Sequence, residues 1–319
     1  MVNTRALKTN MSCRRLIISL FVLAVAASLH NAVAGQFRAS VVKIDLTPEK
    51  PQWLLGYNPR QSTGVHDRLY HRIVAMDDGR TQFFLVSTDI CLYSPSLYDG
   101  VMKELEKETG ITPLQVWWTV THTHSAPEVG PPGLPAVFMG ERYEHDHNRE
   151  YTAESTKALI AAIKQARAKL EPARLGVGWG FARANINRRA RDEEGPTFLG
   201  LNPDGPVDRQ IGLIRLEKAD GKLLALITNY AMHGTVLGGE NTRISGDAPG
   251  VVAECVEQKL GAPMLYINGA AGNIAPIYTV YPDFESGHFK PVSSALGRSH
   301  PGRQRAPGLD HCAGRAHAG

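Results

Sequence analysis

The sequence predicts an α/β fold in which mixed β-sheets are covered by helices. Three observations support this prediction. Short apolar runs rich in β-forming residues alternate with helical patterns, the helices carry recognisable start and stop signals, and no repeat or internal linker interrupts the chain. With 319 residues, the chain is long enough to bury one large core.

The first half of the chain is predicted to be mostly strands with one helix. In order, we expect strands over 37–46, 73–76 and 83–88, a helix over 95–108, a strand that starts at Val116 and a Pro/Gly-rich loop over 127–140. The Asp-Asp-Gly sequence at 77–79 is a turn signal between two of these strands. Ser94 as N-cap, Pro95 at the first helical position and Gly110 as the stop residue bound the helix.

The second half alternates helices with strands. In order, we expect a helix over 149–170, strands over 174–178, 211–216 and 223–232, a helix over 248–260 and a strand over 264–267. Amphipathic periodicity predicts the first helix, which Pro172 is expected to close. Gly261 ends the second helix, and residues 185–189 are predicted to form a polar loop.

Both ends of the chain differ in composition from its body. Arg14 and Arg15 precede an apolar stretch and the small residues at 32–34, which predicts a cleaved signal peptide over 1–34 and a secreted or periplasmic protein. From residue 290 onward the sequence is rich in Gly, Arg, Ala, Pro and His, which predicts a disordered or aberrant tail over 290–319. The folded domain is therefore expected over 35–289.

Composition and motifs exclude several classes of protein. The formal net charge is only +4, and no basic helix or basic stripe with interspersed aromatics indicates nucleic-acid binding. The four cysteines contain no C-x-x-C pair, so neither a disulfide scaffold nor a thiolate metal site is predicted. No G-x-S-x-G sequence is present, which argues against a serine hydrolase of the nucleophile-elbow type.

Histidines at the ends of two predicted strands are the main functional signal. His122 and His124 follow the run that begins at Val116, and alternation along a strand places side chains at i and i+2 on one face. A second apolar run ends at His233. Neutral imidazole is a good ligand for Zn²⁺, so the set predicts a zinc site, although any one histidine could simply be a hydrogen-bonding residue.

Polar residues in the predicted loops complete the candidate site. Arg188 is either a surface arginine or a group that binds a carboxylate, a carbonyl or an oxyanion, and His66 lies in a loop before a strand. Asp247 is either a helix N-cap or the partner of a ligating histidine's free N–H. The small residues of the loop over 268–276 let its backbone approach other groups closely, and Asn273 in this loop is a candidate substrate-binding residue, as is His66.

These residues carry a resemblance to the neutral/alkaline (non-lysosomal) ceramidase family over residues 36–289. The motifs are Gly64-Val65-His66-Asp67-Arg68-Leu69-Tyr70, Thr121-His122-Thr123-His124-Ser125-Ala126-Pro127, Ile186-Asn187-Arg188, Ala231-Met232-His233-Gly234 and Gly272-Asn273-Ile274-Ala275-Pro276. The resemblance implies two mixed sheets covered by helices. It also implies a zinc-dependent amidase that hydrolyses ceramide-like lipids to a sphingoid base and a fatty acid, with contact to a membrane surface.

The resemblance further implies roles for single residues. His122 and His233 correspond to zinc ligands, His124 lies close by, and Arg188 contacts the substrate or the developing oxyanion. The family loop usually reads G-D-x-S-P with a catalytic serine, whereas this chain has Asn273 and Ala275. The family's further ligands, a glutamate and a tyrosine, have no counterpart here, so the catalytic domain is expected to be partial.

Two alternatives remain open at this stage. The order H-x-H, then a later histidine, then aspartate also occurs in barrel-type metal-dependent amidohydrolases, although the chain shows fewer than the eight βα repeats such a barrel needs. The other alternative is a non-catalytic truncated relative, which the alanine at position 275 favours.

Overall fold

A computed structural model describes residues 37–130, 145, 148–191, 197–282 and 289–292. The predicted signal peptide lies outside these residues, as does the predicted tail apart from its first three residues. Within them there are three α-helices, α1 (Pro95–Thr109), α2 (Arg149–Ala168) and α3 (Asp247–Leu260). No helix in this part of the chain is long and apolar enough to cross a membrane.

Strands make up most of the remaining regular structure. In chain order they are β1 (Arg38–Asp45), β2 (Trp53–Leu54), β3 (Arg60–Gln61), β4 (Gly64–Val65), β5 (Tyr70–Asp77), β6 (Gln82–Thr88), β7 (Val116–Val120), β8 (Glu171–Phe181), β9 (Asn185–Arg191), β10 (Thr197–Asn202), β11 (Gln210–Lys218), β12 (Leu223–Tyr230), β13 (Arg243–Ile244), β14 (Met264–Asn268), β15 (Ile274–Pro276), β16 (Thr279–Pro282) and β17 (Phe289–Val292). Eight of them form one sheet in the order β14-β12-β11-β8-β1-β5-β6-β7. A smaller sheet has the order β10-β9-β15, and the other strands form short pairs.

The large sheet is mixed and folds over on itself. Strands β6 and β7 are parallel, as are β12 and β14, whereas the other neighbours are antiparallel. One apolar cluster joins Val74 and Leu85 of the first half to Ala225 and Leu265 of the second half. The two halves therefore pack face to face across a shared core, as the two sheets of a sandwich do.

Helices cover the outer faces of this sandwich. Ile73, Phe84 and Trp118 of the first half pack against apolar residues of α1 and α2, such as Leu105 and Leu159. On the other side, α3 packs on β12 and β14 through a separate cluster. The prediction of mixed sheets covered by helices is confirmed. The barrel alternative is wrong, because that fold needs eight parallel strands and this open sheet has two parallel pairs.

Most predicted elements lie where expected, and their end signals work as proposed. Ser94 Oγ accepts a hydrogen bond from Leu97 N at 3.1 Å, and Gly110 ends α1 in the left-handed conformation with φ 73°. The main error concerns the region after α2. Pro172 lies inside β8 instead of closing the helix, because it occupies a position where the strand pairs only briefly with β1.

The predicted polar loop over 185–189 is also wrong, since these residues form part of β9. Their hydrogen-bond partners come from β10, the next strand along the chain, and from β15, which is distant in sequence, so pairing and not an apolar pattern defines this strand. At the other end, residues 290–292 of the predicted tail belong to β17, which pairs with β16.

Candidate metal centre

The candidate site forms where the carboxyl ends of the two parallel strand pairs meet. The segments that follow β7 and β12 are joined by a bridge between Thr123 and Gly234, and His124 N donates to Gly234 O at 2.9 Å. A Cβ at Gly234 would lie 2.7 Å from Thr123 Cα, so the two segments need glycine here to approach so closely. The two halves of the sandwich thus each bring histidines to one place.

The way in which His122 and His124 meet differs from the prediction. Strand β7 ends at Val120, two residues before the first histidine, so strand alternation does not orient the pair. Instead, His122 adopts a left-handed backbone conformation with φ 62°, which is rare for a residue with a side chain. Its N–H donates to Ile90 O at 3.0 Å, which fixes this turn against the segment after β6.

His122, His124 and His233, here called the histidine trio, face one another. His122 Nε2 lies 3.1 Å from His233 Nε2 and 3.4 Å from His124 Nε2. The ring centroids lie 4.5 Å apart for His122 and His233, 5.0 Å for His122 and His124, and 5.4 Å for His124 and His233. The structure therefore brings together the three histidines that the sequence singled out.

The hydrogen bonds of the two outer ring nitrogens, His122 Nδ1 and His233 Nδ1, show which ring nitrogens carry hydrogen. The Nε2 atoms, which face the centre, carry none in a neutral ring. His122 Nδ1 lies 2.7 Å from Cys91 O, and His233 Nδ1 lies 2.7 Å from Ala271 O. A carbonyl oxygen only accepts, so each Nδ1 carries the hydrogen and each Nε2 in a neutral ring has a lone pair. Two lone pairs 3.1 Å apart repel each other unless a cation lies between them.

The distances fit a zinc ion. Ligand nitrogens at the usual Zn–N distance of about 2.0–2.1 Å in tetrahedral geometry lie about 3.3 Å apart. The two Nε2–Nε2 distances of 3.1 and 3.4 Å are close to this value. A backbone carbonyl that holds the second nitrogen is a common device for orienting ligating histidines.

The electrostatic environment keeps the trio neutral, as metal binding requires. Burial lowers the pKa of His124 to about 3, with further contributions from His122 and His233. Burial and then His122 lower the pKa of His233 to about 4, and burial is also the main reason that the pKa of His122 is lowered. All three rings are thus free of the second proton at neutral pH.

Cys91 is the other residue with a ligand atom near the centre. Its sulfur forms, with atoms of His122 and His124, a group whose members all lie within 4.8 Å of one another. Its Sγ lies 3.9 Å from His122 Nδ1, the outer nitrogen of that ring, and burial raises the pKa of the free thiol to about 12. We therefore favour the histidines as ligands and assign Cys91 its backbone role as acceptor from His122.

Arg188 borders the trio from the smaller sheet. Its Nε donates to Gly272 O at 3.0 Å, and its charge is among the causes that lower the pKa of each histidine of the trio. Burial and the neighbouring Arg189 lower the pKa of Arg188 itself. The predicted cation is thus close to the metal centre, where it can act on a developing negative charge.

Asn273 lies beside Arg188 and Arg189. Its backbone oxygen accepts from Arg188 N at 2.8 Å, and its side-chain oxygen accepts from Arg189 Nε at 2.7 Å. It also lines a cavity of about 440 Å³ together with Asn187 and Asn229. The loop that contains Asn273 therefore supplies backbone acceptors to both arginines and, through Ala271, to His233.

Asp247 does not hold an imidazole N–H. Both Nδ1 atoms described above donate to backbone carbonyls, and the Asp247 carboxylate instead accepts from Val236 N and Leu237 N, each at 3.0 Å. It is also not the N-cap, because Gly246 occupies that position and Asp247 is the first residue of α3, with φ 53°. Its carboxylate thus holds the loop that follows His233.

His66 lies on the exposed segment after β4. Its Nδ1 is 2.8 Å from an oxygen of Asp67, whose carboxylate also accepts from Ser245 Oγ and from Gly246 N. The segment is therefore tied to the start of α3, next to Asp247. The ring of His66 is thus held by Asp67 and is not part of the trio.

The sequence also matches the profile of a known protein family. The family profile described as neutral/alkaline non-lysosomal ceramidase, N-terminal, matches residues 37–275.

The chain belongs to this ceramidase family.

Its similarity to individual ceramidases is moderate. The neutral ceramidase of Pseudomonas aeruginosa is 26% identical over 259 residues, which is 77% of this chain and 38% of that protein. Neutral ceramidase B of Dictyostelium discoideum is 27% identical over 252 residues, or 75% of this chain and 33% of that protein. The chain thus spans less than two fifths of the length of these relatives.

Solved ceramidase structures share the fold. The crystal structure of neutral ceramidase from Pseudomonas aeruginosa superposes with a TM-score of 0.66 at 23% identity, covering 79% of this chain and 41% of that one. A ceramidase complexed with C2 gives a TM-score of 0.64 at 22% identity, covering 76% and 39%. The ceramidase fold thus extends over most of the described chain.

The sequence did not identify three residues that surround His124. Gly56 has φ 112°, and a Cβ there would lie 2.4 Å from His124 Cγ. The Tyr57 ring contacts His124 edge-on with centroids 5.0 Å apart, and Arg60 donates to His124 O while its guanidinium lies over the Tyr57 ring. The Gly-Tyr-Asn-Pro-Arg sequence signals a turn, but only the tertiary structure places that turn on the trio.

Proposed function

We propose that this chain is a zinc-dependent amidohydrolase that cleaves the N-acyl amide bond of ceramide-like lipids to a sphingoid base and a fatty acid. One observation carries the proposal: the unprotonated Nε2 atoms of His122 and His233 face each other at 3.1 Å, while their Nδ1 atoms donate to carbonyls. The names of the relatives, neutral ceramidases, and a family structure complexed with C2 support a lipid amide as the substrate.

The residues of the trio and Arg188 have separate tasks in this proposal. When bound, Zn²⁺ supplies a Lewis acid that polarises a carbonyl and lowers the pKa of a water molecule toward neutrality. His122 and His233 hold the ion, and His124, whose Nε2 lies 3.4 Å from that of His122, is a catalytic group beside it. The Arg188 guanidinium binds the amide oxygen as negative charge develops on it, an interaction that is stronger in the transition state than in the ground state.

Asp247 acts as a positioning residue. Its carboxylate binds the backbone N–H groups of Val236 and Leu237, so it fixes the loop just after His233. Asn273 and His66 are assigned to substrate binding: Asn273 lines a cavity with Asn187 and Asn229, and the segment that carries His66 is joined through Asp67 to Ser245.

Metal content and hydrolysis, measured on the same protein preparations, test this function. We expect about one zinc ion per chain, release of fatty acid from a short-chain N-acyl sphingoid lipid, and loss of both in His122→Ala and His233→Ala. His66→Ala is the matched control for zinc content, because the ring of His66 bonds to Asp67 and lies outside the trio. A folded wild-type protein without zinc would contradict the proposal.

A non-catalytic relative is the second candidate, and Ala275 is the observation that favours it. Where the family loop has a serine, Ala275 offers no hydroxyl for attack or proton transfer. The same experiment separates the candidates, since stoichiometric zinc without hydrolysis supports this one.

Export of the protein completes the proposal. The pattern over residues 1–34 is that of a cleaved signal peptide, which would bring the enzyme to the periplasm or the medium, where it meets lipid surfaces. N-terminal sequencing of the protein recovered from these fractions should begin near Gly35. A mature N-terminus at Met1 or Met11 would contradict export with cleavage.

A further inference from the structure

We infer that a cavity beside α2 binds a small organic cation with two or more primary ammonium groups, of the class of linear polyamines. The cavity has a volume of about 460 Å³ and lies between the N-terminal half of α2 and the segment that joins β1 to β2. This volume is in the range of about 300–1,000 Å³ that is typical of small-molecule sites. The histidine trio does not line the cavity, and the inference does not depend on the proposed function.

The charges around the cavity favour a cationic ligand. Four carboxylates and one ammonium group line it, from Asp45, Glu49, Glu150, Glu154 and Lys50. Burial and nearby carboxylates, among them Asp45 and Glu154, raise the pKa of the Tyr151 phenol in the cavity wall. The N-terminal end of α2 contributes only about half a positive charge, which is too little to offset this excess of carboxylates. The cavity therefore attracts cations and disfavours anions.

Two of the four carboxylates are available to a ligand. Asp45 forms an ion pair with an arginine, and Glu150 binds Lys50 Nζ at 3.2 Å, which shows that an ammonium group fits at the rim. Within the described part of the chain, neither Glu49 nor Glu154 forms a salt bridge. They come from opposite walls, Glu49 from the segment after β1 and Glu154 from α2. A ligand with two ammonium groups can therefore bind both walls at once.

A buried amide in the cavity wall is independent evidence for a ligand. Gln52 lines the cavity and is 3% exposed, and its Oε1 accepts no hydrogen bond within the described part of the chain. Its Nε2 donates to Lys50 O at 3.2 Å, which identifies the other end of the amide as the oxygen. A buried acceptor without a donor destabilises a folded protein, and an ammonium N–H supplies the donor that Gln52 lacks.

The spacing of the carboxylates argues against a metal ion as the ligand. Among the described residues, ligand atoms of three His, Cys, Asp or Glu residues lie within 4.8 Å of one another at Cys91, His122 and His124, and not in this cavity. Ca²⁺ needs about six to eight oxygen ligands around one point. An ammonium group donates only about three hydrogen bonds, and a flexible chain brings successive ammonium groups to carboxylates that are more widely spaced.

Isothermal titration calorimetry of the full chain with spermidine tests the inference. One variant is Gln52→Met, which removes the amide and keeps a side chain of similar length. The other is the double variant Glu49→Gln/Glu154→Gln, which removes both available carboxylates. Glu104→Gln/Glu106→Gln is its matched control, because these two exposed glutamates of α1 lie outside the cavity and their replacement changes the net charge equally. Titrations with 1,8-octanediol, CaCl₂ and a lysine-rich peptide test an uncharged chain, a metal ion and a protein partner.

We expect one spermidine per chain at about 0.15 M salt, where non-specific attraction between exposed charges is screened. Affinity should fall about tenfold or more in Gln52→Met and in Glu49→Gln/Glu154→Gln, and should be unchanged in the control. Spermidine should also raise the melting temperature of the wild type, because it binds only the folded protein. Octanediol should not bind.

Three results would overturn the inference. Equal losses of affinity in the two double variants, with none in Gln52→Met, would show diffuse attraction to an acidic surface. Displacement of spermidine by Ca²⁺ would show a metal site, and tighter binding of the lysine-rich peptide than of spermidine would assign the cavity to a protein partner. If Gln52→Met does not fold, the comparison between the two double variants decides.

Discussion

Two residues with side chains have a left-handed backbone within the described part of the chain, one in the trio and one that holds the loop after His233. They are His122 with φ 62° and Asp247 with φ 53°. Such conformations cost on the order of 1–3 kcal/mol and persist only where surrounding contacts impose them. Here the hydrogen bonds to Ile90, Cys91 and the loop after His233 impose them. Backbone strain is thus concentrated where ligand geometry matters.

Gly56→Ala should disturb the trio without unfolding the protein. The new Cβ would lie 2.4 Å from His124 Cγ, so the ring must move, and the φ of 112° adds backbone strain. We expect at least about tenfold weaker zinc binding, comparable to the loss of a supporting contact around a ligand. Zinc competition measures this.

Gly221→Ala is the matched control for that variant. Gly221 also has a positive φ, of 82°, but nothing lies within 4 Å of its Cβ position. It carries the backbone cost without the contact, so its zinc affinity should equal that of wild type. Equal affinities in both variants would show that His124 does not need its packing against Gly56.

Ala275→Ser should raise hydrolysis if the family serine acts in this chain. Ile274, the preceding residue, accepts a hydrogen bond from His233 N at 3.2 Å, so a hydroxyl at position 275 is added next to a segment that contacts the site. We expect kcat to rise with unchanged zinc content. Ala270→Ser, in the same loop but exposed, is the control. No change in kcat in Ala275→Ser would show that the hydroxyl is dispensable here.

At the residue level, the sequence predicted the cluster of three histidines better than the groups that support it. His122, His124 and His233 are found together because each follows a recognisable apolar run. The acceptors that orient them, Cys91 O and Ala271 O, are backbone atoms, and a backbone atom leaves no mark in the residue types. Asp247 was correctly placed at the start of a helix, but its acceptor role depends on which loop folds over it.

At the level of elements, those with local signals were predicted and those defined by distant partners were not. Helix α1 has its own cap and stop residues, and β5 and β6 have a turn between them. Strand β9 is polar and exists because β10 and β15 pair with it. Pro172 misled the prediction because proline also occurs in strands where pairing is interrupted.

One buried histidine links four elements and should make stability depend on pH. His71 on β5 is fully buried, its Nε2 donates to Ser155 O of α2 at 3.0 Å, and its Nδ1 accepts from Thr88 Oγ1 of β6 at 2.7 Å. Trp118 Nε1 of β7 donates to the same hydroxyl oxygen at 2.8 Å. The network accommodates a neutral ring, and burial lowers the pKa of His71 to about 4.

The sign of the effect follows from the lowered pKa. The unfolded chain binds a proton at this residue near its usual pKa of about 6.5, whereas the folded protein binds it only near pH 4. The contribution to stability is therefore complete above about pH 6.5 and is lost as pH falls toward 4, by on the order of 3 kcal/mol. Urea unfolding of the metal-free protein at several pH values measures it.

His71→Gln isolates this contribution. The difference in unfolding free energy between wild type and the variant should shrink by on the order of 3 kcal/mol between pH 7 and pH 4. The same comparison with His66→Gln, at an exposed histidine, accounts for effects of the substitution itself. A difference for His71→Gln that stays constant over this range would show that the ring becomes protonated in the folded state.

At the scale of the whole molecule, the metal centre depends on the two halves of the sandwich meeting. His122 comes from the half with α1 and α2, and His233 from the half with α3. The large sheet is continuous between them only where β8 pairs with β1, over Arg38–Pro172 and Ala39–Glu171. Such long-range packing is invisible in local sequence patterns, which explains why the alternation of elements indicated the fold class but not the folded-over sheet.

The same topology leaves one edge of β8 largely unpaired among the described strands, which should make the protein self-associate. Beyond its two pairs with β1, β8 is bonded only to β11 among the described strands, and Val177, Trp179 and Phe181 are 67, 69 and 77% exposed. An exposed apolar edge strand is a template for pairing with another chain, and a lysine on such an edge opposes it.

Trp179→Lys should therefore lower the average mass seen by light scattering at high protein concentration. Its melting temperature should change little, because the side chain is mostly exposed. Leu114→Lys, at a 94% exposed leucine that lies in no strand, is the control and should leave self-association unchanged. Equal scattering from both variants would show that association does not use the β8 edge, and a wild type that is monomeric at every concentration would contradict the prediction outright.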